Sequence, residues 1–472
     1  MADPTSHAIL AALWRLAGLP PDALGQVALP GAEPALPSSF RIGAAAQATI
    51  AATTAAVAEL HRRRGGPAQE ARVEMRHAAV EFHSEHYLKR GGEQRGARWD
   101  DIAGTYRCGD GRFVRLHTNF PHHRAGVVSL LDGAATREAV AAALGGWKAF
   151  DFEQAAAEAG LCVSAMRSFA EWDAHPQGQA VASLPPLRIE RIGDAPPTPL
   201  PPLGARPLEG LRVLDLTRVI AGPVCGRTLA AHGADVLHIS AAHLPSFDDL
   251  VVDTGRGKRT ASLDLRSAAG RETLRRLARG ADVFLQGYRP GAIAGHGFAP
   301  ADLAALRPGI VCTALSAYGE VGPWGGRRGF DSLVQTASGF NHAEAVAAGA
   351  DPADAAPKVL PCQALDHASG YLLAFGTLAA LLRRAEEGGS WQVRVSLVGT
   401  GMWLRGLGRL AEGFRATVPA MDELGAVLEE SESGFGRITA LRHSGQLAET
   451  PAYWALPSVP LGTHAPAWAQ SH

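Results

Sequence analysis

Beyond residue 210 short apolar runs alternate with stretches in which apolar residues recur every three or four positions. The runs LRVLDLT (211–217), DVLHIS (235–240), RTASLDL (259–265), DVFLQGY (282–288) and GIVCTALSAYG (309–319) read as strands. Between them, GPVCGRTLAAHGA (222–234), RETLRRLARGA (271–281) and PADLAALRP (300–308) carry helical spacing. Apolar strands separated by helices predict a parallel sheet covered on both faces. Ligands of such sheets lie beyond the carboxyl ends of the strands, which draws attention to the loops 217–223, 286–291 and 315–320.

The first part of the chain has a different rhythm. AAAQATIAATTAAVAELHRRR (44–64) has the spacing of a helix, and GTYRCGDGRFVRLHTNF (104–120) reads as a hairpin turning at Gly109-Asp110-Gly111. Helices are predicted over 135–146 and 151–160, followed by FAEWDAHPQGQAV, which together make a smaller α+β unit. Pro-rich breaks occur at PGAEPALPSS (30–39) and GDAPPTPLPPLGARPLEG (193–210). The expected organisation is an N-terminal helical segment (1–84), a small α+β domain (85–192), a Pro-rich linker (193–207) and a Rossmann-like α/β domain with helices on both sheet faces (208–472).

One pattern occurs twice. Residues 41–75 align without a gap on 363–397, a constant shift of 322, with eight of thirty-five positions identical. Both copies read as a helix, a basic end, a Gly-containing break and an Arg-Val strand start (Arg72-Val73, Arg394-Val395). The second copy carries an acid, Asp366, where the first has Ala44. That acid opens a helix with no charge from Gly370 to Leu382. Asp366 is read either as a helix N-cap or as a nucleophilic carboxylate that the helix dipole holds ionised.

Composition excludes more than it selects. Hydrophobic residues make up 46% and charged residues 19% of 472, the balance of an ordinary soluble globular chain. A formal net charge of −1 supplies no field towards nucleic acid or an acidic membrane surface, so neither is an expected partner. The five cysteines (108, 162, 225, 312, 362) are scattered without a C-x-x-C pair, which favours reduced thiols in a cytoplasmic setting over zinc or disulfides. The opening MADPTSHAILAALWRLAG lacks the basic segment of a secretory signal, and the apolar run 370–382 falls short of the ~20 residues of a spanning helix. His117, His122 and His123 have no carboxylate or thiol at ligand spacing, so a surface loop is expected there and no metal. Gly255 and Gly257 beside Lys258 and Arg259 suggest a small-anion turn without a complete phosphate-loop pattern.

The motifs combine into a resemblance. LEGLRVLDLTRVIAGPVCGRTLAAHGADVLHI (208–239), GKRTASLDL, ADVFLQGYRPGAIAGHGF, LRPGIVCTALSAYGEVGPW and GFDSLVQTASGF follow one another as in class III CoA-transferases, the CaiB/BaiF family. The resemblance covers about 208–405, and the tail TPAYWALPSVPLGTHAP (450–466) is similar to the family's closing segment. It implies Asp366 as the catalytic aspartate. It implies a CoA site at Arg218, Val219, Ile220 and Ala221, at Lys258, at Gly287, Tyr288 and Arg289, and at Ser316, Ala317, Tyr318 and Gly319. CoA and acyl-CoA are then substrates rather than tightly bound cofactors, the second partner is a carboxylic acid, and a homodimer is the family's usual assembly.

Three departures qualify the expectation. Ala241 and Gly295 stand where basic residues often occur in the family. The small domain that usually follows the catalytic helix is replaced by about thirty residues, while similar text (DIAGTYRCGDGRFVRL, EWDAHPQGQAV) precedes the linker. Residues 41–84 then read as the remnant of a duplicated catalytic element. The racemases of the family carry a GHD motif where this chain has Gly329-Phe330-Asp331, so racemisation is the first alternative, with His342 and His367 nearby, and a degenerate CoA-binding protein the second.

Overall fold

In the computed structural model, which describes residues 5–94 and 99–469, the alternating pattern forms a seven-stranded sheet. The elements that bear on the site are α1 (Ile42–Arg63), β1 (Arg188–Gly193), β2 (Arg212–Leu216), α2 (Ala221–Ala231), β3 (Asp235–Ser240), β4 (Lys258–Ser262), β5 (Val283–Gln286), β6 (Val311–Ser316), α3 (Asp331–Ala337), α4 (Ala364–Glu387) and β7 (Ser390–Ser396). Their order across the sheet is β4-β3-β2-β5-β6-β7-β1. All neighbours from β4 to β7 pair in parallel, and β1 joins the β7 edge antiparallel. The chain leaves β2 in one direction and returns to β5 on its other side. This reversal opens a crevice past the carboxyl ends of β2 and β5, at two of the loops singled out above.

Both faces of the sheet are buried, as the continuous apolar runs require. Along β2, Val213 enters the core shared with α1, α2 and α4, while Leu214 enters the core under the helices Ala268–Arg279 and Pro300–Leu306. The strand β1 lay inside the stretch expected to be small-domain text and linker. RIERIG carries three charges beside a proline run, so its alternation is too weak to announce an edge strand.

The duplicated text is a duplicated structure. Shifted by 322, α1 covers α4 to within two residues, and the helix Met75–Glu81 starts where Leu397–Gly406 does. Arg41 and Gln363, which precede the two helices, share φ/ψ of −79°/60° and −78°/62°. Each helix start receives an outside carboxylate at the same position: Ala44 N–H donates to Glu33 Oε1 at 2.7 Å, and Asp366 N–H to Asp331 Oδ2 at 2.8 Å. The two helices pack on each other, and the Thr53 hydroxyl donates to the Tyr371 carbonyl at 2.9 Å. Alanines in α1 permit this close approach and favour the helix itself. In α4, Tyr371, Leu372, Leu373 and Phe375 are fully buried, each contributing about 1.5–3 kcal/mol of burial.

The N-terminal segment shares the core of α4 and also shares sheets with the tail. Residues 71–72 pair with 446–447, and 89–90 with 438–439. The predicted hairpin forms between 104–107 and 113–116, extended by 163–165 and covered by three helices around a core of its own.

A buried ionic group ties the first segment to α2 and the tail. Glu81 accepts from His443 Nδ1 at 2.9 Å and from Ser444 N–H at 2.8 Å. Asp253 accepts from Arg227 at 2.7 Å, Arg256 at 3.0 Å and the Ser84 hydroxyl at 2.7 Å.

Candidate active site

Asp366 occupies the third position of α4, one turn before Gly370. A Cβ at Gly370 would lie 2.6 Å from the Ala221 carbonyl oxygen and 2.8 Å from Val224. The missing side chain therefore lets α2 press against α4 and brings the loop 218–221 to the carboxylate. Within that loop Val219 has φ 72°, a left-handed conformation that costs a β-branched residue on the order of 1–3 kcal/mol.

The N-cap reading of Asp366 is not what the geometry shows. Gln363 precedes the helix without capping it, and the Asp366 N–H is itself bound by the Asp331 carboxylate. Nor does the dipole leave Asp366 an ordinary carboxylate. It is only 8% exposed. Burial, then the carboxylates of Asp331 and Glu85, push its pKa well above the usual aspartate range. Burial likewise raises Asp331 to about 6, against the bonds it accepts from Asp366 N–H and Gln335. Glu85 differs: burial opposes its ionisation, but His367, 3.0 Å away through Nε2, brings it down to about 2.

Two cavities meet at Asp366. The first, of about 450 Å³, lies at the crevice between β2 and β5 and is lined by Arg218, Val219, Ile220, Ala221, Gly287, Tyr288, Arg289, Ser316 and Ala317. Nine of the twelve expected CoA-site residues are thus brought together around one space with Asp366. The other three sit elsewhere. Lys258 is 4% exposed, and its ammonium donates to Asp215 Oδ2 and the Pro223 carbonyl, both at 2.9 Å, beneath a smaller neighbouring cavity. Tyr318 is 1% exposed and reaches Ser164 with its hydroxyl, and Gly319, which follows it, faces Val181. Neither lines the cavity.

The sequence reading missed Arg327 and Arg328, which line the same space as Arg218 and Arg289. Their signal was the basic pair directly before Gly329. It also took the histidines for a surface loop. His122 and His123 instead lie on the helix Pro121–Leu130 and line this cavity, with His123 Nε2 3.7 Å from the buried Cys162 thiol. Burial lowers His123 to about 4 and raises Cys162 to about 12, so both are neutral. Among the described residues no group of three potential ligands could hold a metal.

The second cavity, of about 570 Å³, approaches Asp366 from the side of the N-terminal segment and includes His83, Glu85, His86, Trp99 and His117. Val219, Ile220, Phe330 and Asp366 border both spaces. A carboxylate at the junction of an arginine-lined cleft and a separate polar cavity is placed to react with one molecule that spans the two.

Residues 208–422 match the family described as CoA-transferase family III. A probable fatty acyl-CoA transferase of Mycobacterium tuberculosis is 35% identical over 206 residues, 41% of this chain and 51% of its own length. The formyl-CoA:oxalate CoA-transferase of Escherichia coli is 30% identical over 203 residues, 40% of this chain and 47% of its own. The crystal structure of a hypothetical protein of Mycobacterium tuberculosis aligns at 34% identity over 43% of this chain and 57% of that one, with a TM-score of 0.38. The chain spans about half the length of the curated relatives it matches.

Proposed function

We propose, from the match of residues 208–422 to CoA-transferase family III, that the protein moves CoA from an acyl-CoA thioester to a carboxylic acid through covalent intermediates on Asp366. The observation that carries this reading is the position of Asp366 between the arginine-lined crevice of the sheet and the second cavity.

The steps balance without an added reagent. The ionised Asp366 oxygen attacks the thioester carbonyl, and CoA leaves as a thiolate, giving an acyl-aspartyl anhydride. The thiolate then attacks the aspartyl carbonyl, forming aspartyl-CoA and releasing the donor's carboxylate. An acceptor carboxylate attacks aspartyl-CoA, expelling the thiolate again and leaving a second anhydride. Attack of the thiolate on the acceptor's acyl carbon gives the new thioester and restores Asp366. A thiolate leaves readily, so positioning contributes more than general-base help. The Ala221 and Gly222 N–H groups, in the first turn of α2, have no acceptor within their own helix and serve each tetrahedral oxyanion. Arg218, Arg289, Arg327 and Arg328 serve the CoA phosphates as planar donors.

Trapping tests the covalent step. With an acyl-CoA donor and hydroxylamine, the peptide containing Asp366 should gain the mass of a hydroxamate. An unmodified peptide under conditions that consume the thioester would refute the pathway. Solvent deuterium entering the α position of an acyl-CoA without an acceptor would favour racemisation instead.

The pH profile follows from the raised carboxylates. The nucleophile is the deprotonated form of Asp366, so its activity is present above its pKa and lost as the pH falls through it. Because Asp331 and Asp366 titrate as a pair, the acid limb of kcat/KM should lie at or above about 6, the value of Asp331, rather than near the ordinary 3.8. Asp331→Asn removes the adjacent negative charge and should move that limb to lower pH. A limb near 4 in the wild type would contradict the electrostatics described above.

A further inference from the structure

The second cavity is walled on one side by the segments that follow the first repeat. His83, Glu85 and His86 come from the turn that follows the first repeat, and Trp99 and His117 from the segment after it. They face Phe330, Asp331 and Ser332 at the start of α3. The cavity bears three signs of what it holds.

Its charged side chains among the described residues are of one sign. Glu85, Asp248, Asp249, Asp331 and Asp366 border it, and no lysine or arginine does among the described residues. Arg115 stacks on Trp99, 5.0 Å from the ring centroid, but does not line the space. A second carboxylate on a substrate would enter against this field with no cation among the described lining residues to meet it.

Two of its imidazoles and one hydroxyl are neutral and unpaired. His117 is 6% exposed and Ser332 3% exposed, yet His117 Nδ1 and the Ser332 hydroxyl have no hydrogen-bond partner among the described residues. His83 Nδ1 is in the same state. Burial holds His117 at about 3 and His83 at about 4, so each imidazole offers one donor and one acceptor rather than a charge. A saturated hydrocarbon would leave these groups unpaired.

Its geometry is fixed. The His117 ring stacks on Phe330, with centroids 3.8 Å apart and planes at 11°. His83 and His86 stack at 4.5 Å and 15°. The polar atoms are therefore held in place before a ligand arrives.

We propose that this cavity takes the acyl group of the thioester, and that its substrates are uncharged acyl groups bearing a hydroxyl or carbonyl, in preference to dicarboxylic or plain hydrocarbon chains. The inference rests on the transferase reading only for the thioester itself. The segments that follow the first repeat thus act as the specificity wall of the copy that carries the acid.

Three four-carbon acyl groups separate the alternatives: 3-hydroxybutyryl-CoA, butyryl-CoA and succinyl-CoA, titrated calorimetrically into Asp366→Asn so that binding is read without turnover. The hydroxylated thioester should bind about tenfold tighter or more than either of the others, because a site that hydrogen-bonds a hydroxyl discriminates against analogues lacking it. In Asp366→Asn/His117→Phe, where the ring stack on Phe330 can persist, that preference should shrink to about threefold or less. Free CoA is titrated into each variant as the control for the first cavity. Equal affinities, tighter succinyl- or butyryl-CoA binding, or a preference that survives both His117→Phe and Ser332→Ala would overturn the inference and leave the transferase reading standing. Failure of a folded protein to bind CoA or any of the three would overturn the transferase reading along with it.

Discussion

Asp366→Ala abolishes transfer: we expect kcat/KM to fall by roughly 10⁴-fold or more, the scale on which removal of a covalent nucleophile acts. Two other carboxylates stand close by, but neither is free to replace it. Asp331 accepts from the Asp366 N–H and from Gln335, and Glu85 is held by His367. The folded protein should not suffer in proportion. Asp366 has a pKa raised above its ordinary 3.8 in the native state, so its ionisation works against the fold as the pH rises past that value. No N-cap is lost either, since Asp366 lies inside the helix and Gln363 holds the cap position. The variant should therefore melt at the wild-type temperature or slightly above it, while a thioester-exchange assay detects no product. Residual transfer within about tenfold of wild type would remove Asp366 from the nucleophile's role. A large drop in melting temperature would show the change to be structural.

What could be read in the sequence was decided by whether a signal is local. The parallel strands were legible because apolar runs buried on both faces need no knowledge of their neighbours, and DVLHIS forms β3 over the residues expected. The repeat was legible because the shift of 322 is a property of text alone, and both helices of the pair follow it. The loops 218–221 and 287–289 were legible because the fold's switch point falls at the strand ends. Failures cluster where a residue's meaning depends on a distant one. Lys258 looked like an exposed anion ligand beside two glycines, yet Asp215, 43 positions away, engages it under the sheet. His117 and His123 looked like loop histidines until their helix and hairpin were laid against α3 and the crevice. Asp331 was visible only as the residue left behind after a motif's histidine became Phe330. Its contact with the Asp366 N–H spans 35 residues, and the first copy's counterpart, Glu33, lies in a loop with no matching text. The ionisation of Asp366 was misjudged for the same reason: a helix dipole is local, whereas two buried carboxylates arriving from Glu85 and Asp331 are not.

Arg227→Ala should lower the unfolding free energy by about 3–5 kcal/mol while leaving the catalytic groups intact. The guanidinium is 1% exposed, lies 2.7 Å from Asp253 and 3.9 Å from Glu81, and faces the Trp454 ring. Taking it away leaves two buried carboxylates short of positive charge, and a cavity beside an aromatic ring. Glu81 keeps His443 and Ser444, and Asp253 keeps Arg256, so the loss is partial rather than complete. The sign of the pH dependence is fixed by Glu81. Burial opposes its charge, but His443 and Arg227 hold its native pKa well below the ordinary 4.5. Its contribution is therefore full above 4.5 and disappears as the pH falls through the native value. Without Arg227 that native value rises, so the gap between wild type and variant should be widest near neutrality and close on acidification. Urea unfolding at several pH values measures it, and a gap that is independent of pH would show the loss to be one of packing. Ser84 binds Asp253, and Glu85, its neighbour, binds His367. Loosening this network should thus also soften the wall of the second cavity, weakening acyl-CoA binding more than binding of free CoA.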